Sequence, residues 1–376
     1  MIMKKSLFSL MALATIVAGC AKSEVIDAPN IDTPISFEAY SGRTPISKAQ
    51  SIDGETAEDR QTALSEIGLG FVVYAYNTVA STAQDGSTTY TPDWSSLYFN
   101  ETLSYNGGWQ FNLKEGNDTP NVYYWPSDGN ELAFVAYSNN GAVYVDPTSS
   151  TTAPSLTISV SDEVADQKDI MVAKHVQTRT QESDAVKLNF SHVLSRIYFE
   201  LSSDRSITVE SVAVNGNFYS SGSVALDAET PSVTVSDDSD VESYEFLIND
   251  FTLTTATGTE ATAIIDNTTD ATAEETNDYY MMLIPATPST VVVRYYFEED
   301  SENKYIATAT LNEDLDAENK FTFEAGKSYK FALSLKSDAI SFEADVDAWA
   351  GDTEIGSPSD SDTYEFVTER YTEENN

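Results

Sequence analysis

The sequence predicts an all-β protein organised as two tandem β-sandwich domains. Three observations carry that expectation. Runs rich in Val, Ile, Phe and Tyr with period-two alternation recur along most of the chain. Short clusters such as NGG, EGND, PSDG and NNG separate them as turns. A chain of 376 residues with 41% hydrophobic composition supplies two cores at roughly 150 residues each. Strands at such short spacing point to sandwiches rather than parallel α/β layers. The single cysteine, Cys20, excludes an intramolecular disulfide, so apolar burial and strand pairing have to hold the fold.

The elements follow in order. Lys4 and Lys5 charge a short head, Ser6 to Val17 is apolar, and small Ala18 and Gly19 precede Cys20. The apolar run is shorter than the roughly 20 residues that span a bilayer, so residues 1–19 read as a secretion signal. Val17-Ala18-Gly19-Cys20 resembles a bacterial lipobox. That resemblance implies that the Cys20 thiol takes a diacylglycerol, an anchor that gains about 0.8 kcal/mol per buried CH₂. An ordinary signal peptide with an incidental Cys is the alternative. Residues 20–34 are polar and turn-rich, as expected of a tether. ISFEAY (35–40) alternates Ile35, Phe37 and Ala39 against Ser36, Glu38 and Tyr40, the pattern of a strand with one buried face. A loop with basic residues follows (41–61), and ETAEDRQTALSEI is expected as one short helix capped by Thr56.

From GLGFVVYAYNTV onward the chain reads as strand after strand: SLYFNETLSY, WQFNL, NVYYW, ELAFVAYS, AVYVD, SLTISV and DIMVAKHV. The polar stretch QTRTQESDA (177–185) marks a boundary, giving domains 35–185 and 186–349. The second half repeats the habit from KLNFSHVLSRIYFEL to AISFEADVDAW, which ends at Trp349. ISFEA at 35–39 recurs identically at 340–344. Either shared strand chemistry or a fit to similar grooves accounts for the repeat. Residues 350–376 form an acidic tail whose Thr363 to Tyr371 portion is strand-like.

A net charge of −41 argues against nucleic acid and anionic lipid headgroups as partners, because both need Lys/Arg to neutralise phosphate. The chain has two histidines, His175 and His192, and the alternation around His192 makes it a structural side chain beside the core. Ser/His/Asp, CxxC, phosphate-loop and HExxH patterns are missing, so no catalytic residue is assigned and no cofactor or metal is expected. The acidic loops 236–242 and 312–319 lack the ligand order of a calcium loop and read as solvated surface. Trp94, Trp109 and Trp125 are candidates either for the core or for stacking on sugars.

LNFSHVLSRIYFEL, YYMMLIPATPSTVVVRYYF and a closing strand at Trp349, with ISFEAYSGRTPISKA and YYWPSDGNELAFVAYS in the first half, resemble the fimbrillin-like lipoproteins of Gram-negative anaerobes. The resemblance covers nearly the whole chain after the tether. It implies sandwiches of transthyretin-like topology and a surface fimbrial subunit that serves adhesion. It further implies an outer-membrane lipoprotein precursor cut by an Arg-specific protease after its first strand. The displaced strand would be Ile35, Phe37 and Ala39 with their neighbours, and the cut would follow Arg43 and leave Thr44 first, with Arg60 as the fallback. An uncut Arg43 is the alternative. The emptied groove would take an extended segment of another fimbrial subunit, self or related, by strand addition. The candidate donor is the tail strand bearing Tyr364, Phe366 and Thr368. A host or bacterial surface ligand is a further possible partner, and a lipid-anchored surface glycan-binding protein is the alternative function.

Overall fold

The computed structural model describes residues 33–41, 70–105, 108–113, 119–126, 131–162, 166–177, 185–235, 240–253, 261–264, 281–312, 321–335, 340–348 and 366–371. The first sheet joins β1 (Phe37–Ser41), β2 (Phe71–Thr82), β3 (Thr88–Tyr105), β4 (Trp109–Phe111), β5 (Leu132–Ser138), β8 (Met171–Gln177) and β9 (Val186–His192). Its order is β1-β9-β8-β5-β2-β3-β4. Alternation in the sequence becomes two faces. In β9, Val186, Leu188, Phe190 and His192 are buried and the residues between them exposed. β5 is central and buried along its whole length, which is why LAFVAYS reads as a continuous apolar run instead.

One face of this sheet encloses a core of its own, with Phe71, Val73, Phe99, Leu103, Phe134, Leu188 and Phe190 among its members. The sheet curls until its two edge strands meet: the Phe37 ring of β1 lies 5.9 Å from that of Phe111 in β4, edge to face. The other face carries Tyr76, Ala133, Val135 and Val172 and packs under a second, four-stranded sheet. That sheet orders β6 (Val143–Val145), β7 (Ser155–Ser159), β12 (Ser221–Ala225) and β13 (Val233–Val235) as β13-β12-β7-β6.

Two five-stranded sheets make up the rest. One holds β10 (Ser195–Ser203), β15 (Ala261–Ile264), β16 (Met281–Leu283), β19 (Lys327–Leu335) and β20 (Ile340–Ala348), with β20 at an edge. The other orders β14 (Asp240–Leu253), β11 (Ile207–Tyr219), β17 (Pro288–Phe297), β18 (Lys304–Thr310) and β21 (Phe366–Tyr371) as β14-β11-β17-β18-β21. Phe199, Leu201 and Phe331 of the first share one apolar cluster with Val212, Val214, Val291 and Val293 of the second.

The architecture is all-β, as expected, and the described residues contain no α-helix. The segment KLNFSHVLSRIYFEL divides at Val193 and Leu194, so β9 joins the first sheet and β10 another. Strand β12, from after residue 220, pairs with β7, from before residue 160, while β13 and β6 flank this pair at the two edges. The two halves of the chain therefore share a sheet, and Thr33–Asn376 clusters as one compact unit. NVYYW, expected as a strand, forms only an isolated bridge between Tyr124 and Pro34. The helix proposed for ETAEDRQTALSEI lies outside the described residues, as do the signal segment and most of both acidic loops.

Candidate functional site

The site is the groove filled by the first strand. Ile35, Phe37 and Ala39 all point into the core of the seven-stranded sheet, at 4%, 5% and 0% exposure. β1 runs parallel to β9, pairing Phe37 with Val186 and Ala39 with Leu188. On the opposite bank the chain entering β1 meets the extended segment 121–125: the Ile35 N–H donates to the Tyr123 carbonyl at 2.8 Å, and the Trp125 N–H to the Thr33 carbonyl at 3.0 Å. Residues 33–41 thus bridge β9 and the 121–125 segment.

The groove is lined with aromatic rings. Phe37 makes edge contacts with Phe71 at 6.2 Å, Phe111 at 5.9 Å and Phe134 at 5.7 Å. Each such contact adds about 0.5–1.5 kcal/mol to the burial of the ring. The 121–125 bank is itself held from below. Buried Glu101 accepts hydrogen bonds from Asn121 Nδ2, at 3.0 Å, and from the Tyr123 hydroxyl, while Tyr123 stacks on Phe99 at 4.3 Å. A buried carboxylate needs such partners, so this bank has supports of its own besides residues 33–41.

Of the residues singled out in the sequence, the structure brings Ile35, Phe37 and Ala39 together in one groove. Cys20, Arg43, Thr44, Arg60 and Tyr364 lie outside the described residues. Phe366 and Thr368 belong to β21, where they pair with Ala309 and Ala307 of β18. Trp94, Trp109 and Trp125 are all at most 9% exposed, which makes them core residues rather than sugar platforms. His192 is buried too, its Nδ1 2.8 Å from Asp169 Oδ2, and His175 Nε2 lies 3.1 Å from Gln177 Oε1. No group of three or more His, Cys, Asp or Glu side chains suited to a metal ion occurs among the described residues.

Sequence reasoning missed the 121–125 bank as part of the site. Its signal was present: Pro120 ahead of it opposes regular pairing, while Tyr123 and Trp125 alternate as in a strand. Trp109 was named but not as a groove residue; it lines the cleft beside Ile35 and Phe37.

A family model described as fimbrillin-like matches residues 62–349. No curated protein matches the chain. Among solved structures, a fimbrial protein from Bacteroides vulgatus is 18% identical over 84% of this chain and 99% of its own, with a TM-score of 0.51. A putative cell adhesion protein from Bacteroides uniformis is 16% identical over 84% and 98%, with a TM-score of 0.42. Another from Bacteroides ovatus is 13% identical over 86% and 99%, with a TM-score of 0.46. At such identity the first of these speaks for the fold alone. The family match spans most of the chain, and with the curled sheet and its bridging first strand in view, the conclusion is that this protein belongs to the fimbrillin-like family.

Proposed function

We propose that the chain is the precursor of a cell-surface fimbrial subunit, in which residues 33–41 are a provisional leader later exchanged for a strand of a neighbouring subunit. The observation that supports this reading best is the leader itself. It is an edge strand, it completes an aromatic core, and Arg43 stands two residues after its end in the sequence. An exposed edge invites association; a leader that covers the groove holds that association back until it is removed.

In this reading Cys20 carries the lipid that delivers the precursor to the outer membrane. Cleavage after Arg43 releases lipid and leader together and leaves Thr44 at the new terminus. The donor is the tail strand with Tyr364, Phe366 and Thr368. β21 is outermost in its sheet, so its departure leaves the β14-β11-β17-β18 ladder intact. Backbone hydrogen bonds lost from β18 are regained on the groove banks of the next subunit. The two halves act as sandwiches of transthyretin-like topology, and the polymer, rather than any catalytic group, performs the function by presenting adhesive surface. The fimbrillin-like family match and the similar fold of the Bacteroides vulgatus fimbrial protein support the assignment.

The test is direct. Arg-specific proteolysis of the purified precursor should yield Thr44 as the first residue and a ladder of SDS-resistant oligomers. Protein recovered from the cell surface should begin either at lipidated Cys20 or at Thr44. A Cys20→Ser chain delivered normally to the surface would remove the lipoprotein part of the reading.

A further inference from the structure

The leader does not fill its groove evenly. Beside it lies a cleft of about 240 Å³, lined by Ile35, Phe37, Leu103, Trp109, Phe111 and Val122 among others. A water takes about 30 Å³ of liquid volume, so the space is on the scale of a side chain. Trp109 is 9% exposed, and its Nε1–H has no hydrogen-bond partner among the described residues. A buried donor left unpaired is costly, and an acceptor that reaches it recovers that cost. At the other end Ala39 is fully enclosed, so a larger side chain there is penalised.

We infer that the cleft beside Ile35 is a subsite for a tyrosine of the incoming strand, its ring taking the place of Ile35 and the space beside it and its hydroxyl accepting from Trp109 Nε1, which is covered and unpaired while Ile35 is in place. This rests on the reading of the groove as a strand acceptor, and it adds a direction to the exchange. The groove asks for a large side chain with an acceptor, then Phe, then something small, at alternate positions. The tail offers Tyr364, Phe366 and Thr368 at that spacing. The occupant is therefore the tail of a second copy of this chain, which gains over the leader at its first position. Ile340–Ala344 has the right spacing as well, but it repeats the leader residue for residue and gains nothing. Thr368 is bulkier than Ala39, so the third position works against the tail, and Thr368→Ala should tighten its fit.

The uncut full-length chain tests the subsite without any exchange. Ile35→Tyr should raise the melting temperature by a few degrees, and Ile35→Phe by less, because it lacks the acceptor. In a Trp109→Phe background the difference between Tyr and Phe should vanish. If that background does not fold, the comparison of Ile35→Tyr with Ile35→Phe in the unaltered chain still decides. A lower melting temperature for Ile35→Tyr than for wild type, or no advantage over Ile35→Phe, overturns the subsite and leaves the exchange reading untouched.

The second arm uses Arg-cleaved chain and labelled peptides of residues 362–371. Replacing Tyr364 with Phe should weaken retention about fivefold, the worth of one ordinary hydrogen bond. Replacing it with Ala should weaken retention at least tenfold further. Equal retention of all three peptides overturns the inference. Failure to retain any peptide, including one of residues 33–41, counts instead against the acceptor reading, and the Ile35→Tyr melting result then judges the subsite alone.

Discussion

Two identical pentapeptides, Ile35–Ala39 and Ile340–Ala344, are handled by this fold in opposite ways. Each lies at the edge of its sheet. The first runs parallel to β9, with Phe37 opposite Val186 and Ala39 opposite Leu188. The second runs antiparallel to β19, with Ile340 opposite Leu335, Phe342 opposite Leu333 and Ala344 opposite Phe331. The same alternation makes a strand in both places, but the chain path chooses partner and direction. β20 follows β19 across a short connection, and a short connection permits only an antiparallel neighbour. β1 pairs with a strand far along the sequence, so nothing local ties it down. Closing a long loop costs more entropy than closing a hairpin, and a strand held only by long-range contacts is the one the molecule can lose with its other local pairings intact.

The largest expected effect that would break this comparison is at Phe37. Phe37→Asp puts an unpaired carboxylate among Phe71, Phe111 and Phe134, at a cost of several kcal/mol. The groove should open and the uncleaved precursor should aggregate, visible as light scattering and early loss of monomer on gel filtration. A variant as monomeric and as stable as wild type would show that the leader does not close the groove. Phe37→Ala should cost about 3–5 kcal/mol, read as a drop in the denaturant midpoint.

Removal of the tail strand comes next. Deleting residues 360–376 should abolish fibre formation after Arg cleavage and leave the monomer folded, because β21 is outermost in its sheet. Fibres built by the truncated chain would move the donor elsewhere. A smaller effect sharpens the comparison itself. A free peptide of residues 338–348, removed from its hairpin, should replace the leader peptide in the cleaved chain within about threefold of its affinity, a difference well under 1 kcal/mol. Much weaker binding would mean that the two stretches differ by more than chain path.

The smallest effect is set by buried tyrosines on either side of the comparison. Burial pushes the Tyr137 hydroxyl, on the sheet that holds the leader, up to about 12 from 10.0, and burial also pushes Tyr295, in the sheet that holds β21, up to about 12. The folded state therefore keeps phenolic protons that the unfolded chain releases. Their stabilising contribution is fully present below about pH 10 and is lost as pH rises through about 12. Denaturant midpoints should be level up to about pH 10 and fall above it, while Tyr137→Phe should flatten part of that fall.

Much of this was legible in the residues. Period-two alternation with Gly, Asn and Asp turns is a local signal, and it marked most strands and the all-β class. The buried face of ISFEAY was readable for the same reason, since side chains alternate whatever the partner. The second bank of the groove was less legible: NVYYW alternates like a strand but is held by single contacts to the leader and by the Glu101 carboxylate. The assignment of KLNFSHVLSRIYFEL to two sheets was not legible at all, because both pieces alternate and only packing separates them at Val193 and Leu194.

By itself, then, the sequence determined which stretches become strands, which side chains of the leader turn inward, and that no disulfide secures them. Those features depend on neighbours one or two residues away. Only the tertiary structure decided that β1 lies parallel to β9, that β12 and β13 complete a sheet begun by β6 and β7, and that Trp109 borders an unfilled cleft beside Ile35. Those features depend on residues distant in the chain, and the free energy that selects them arises from apolar area and hydrogen bonds shared between segments that carry no local record of one another.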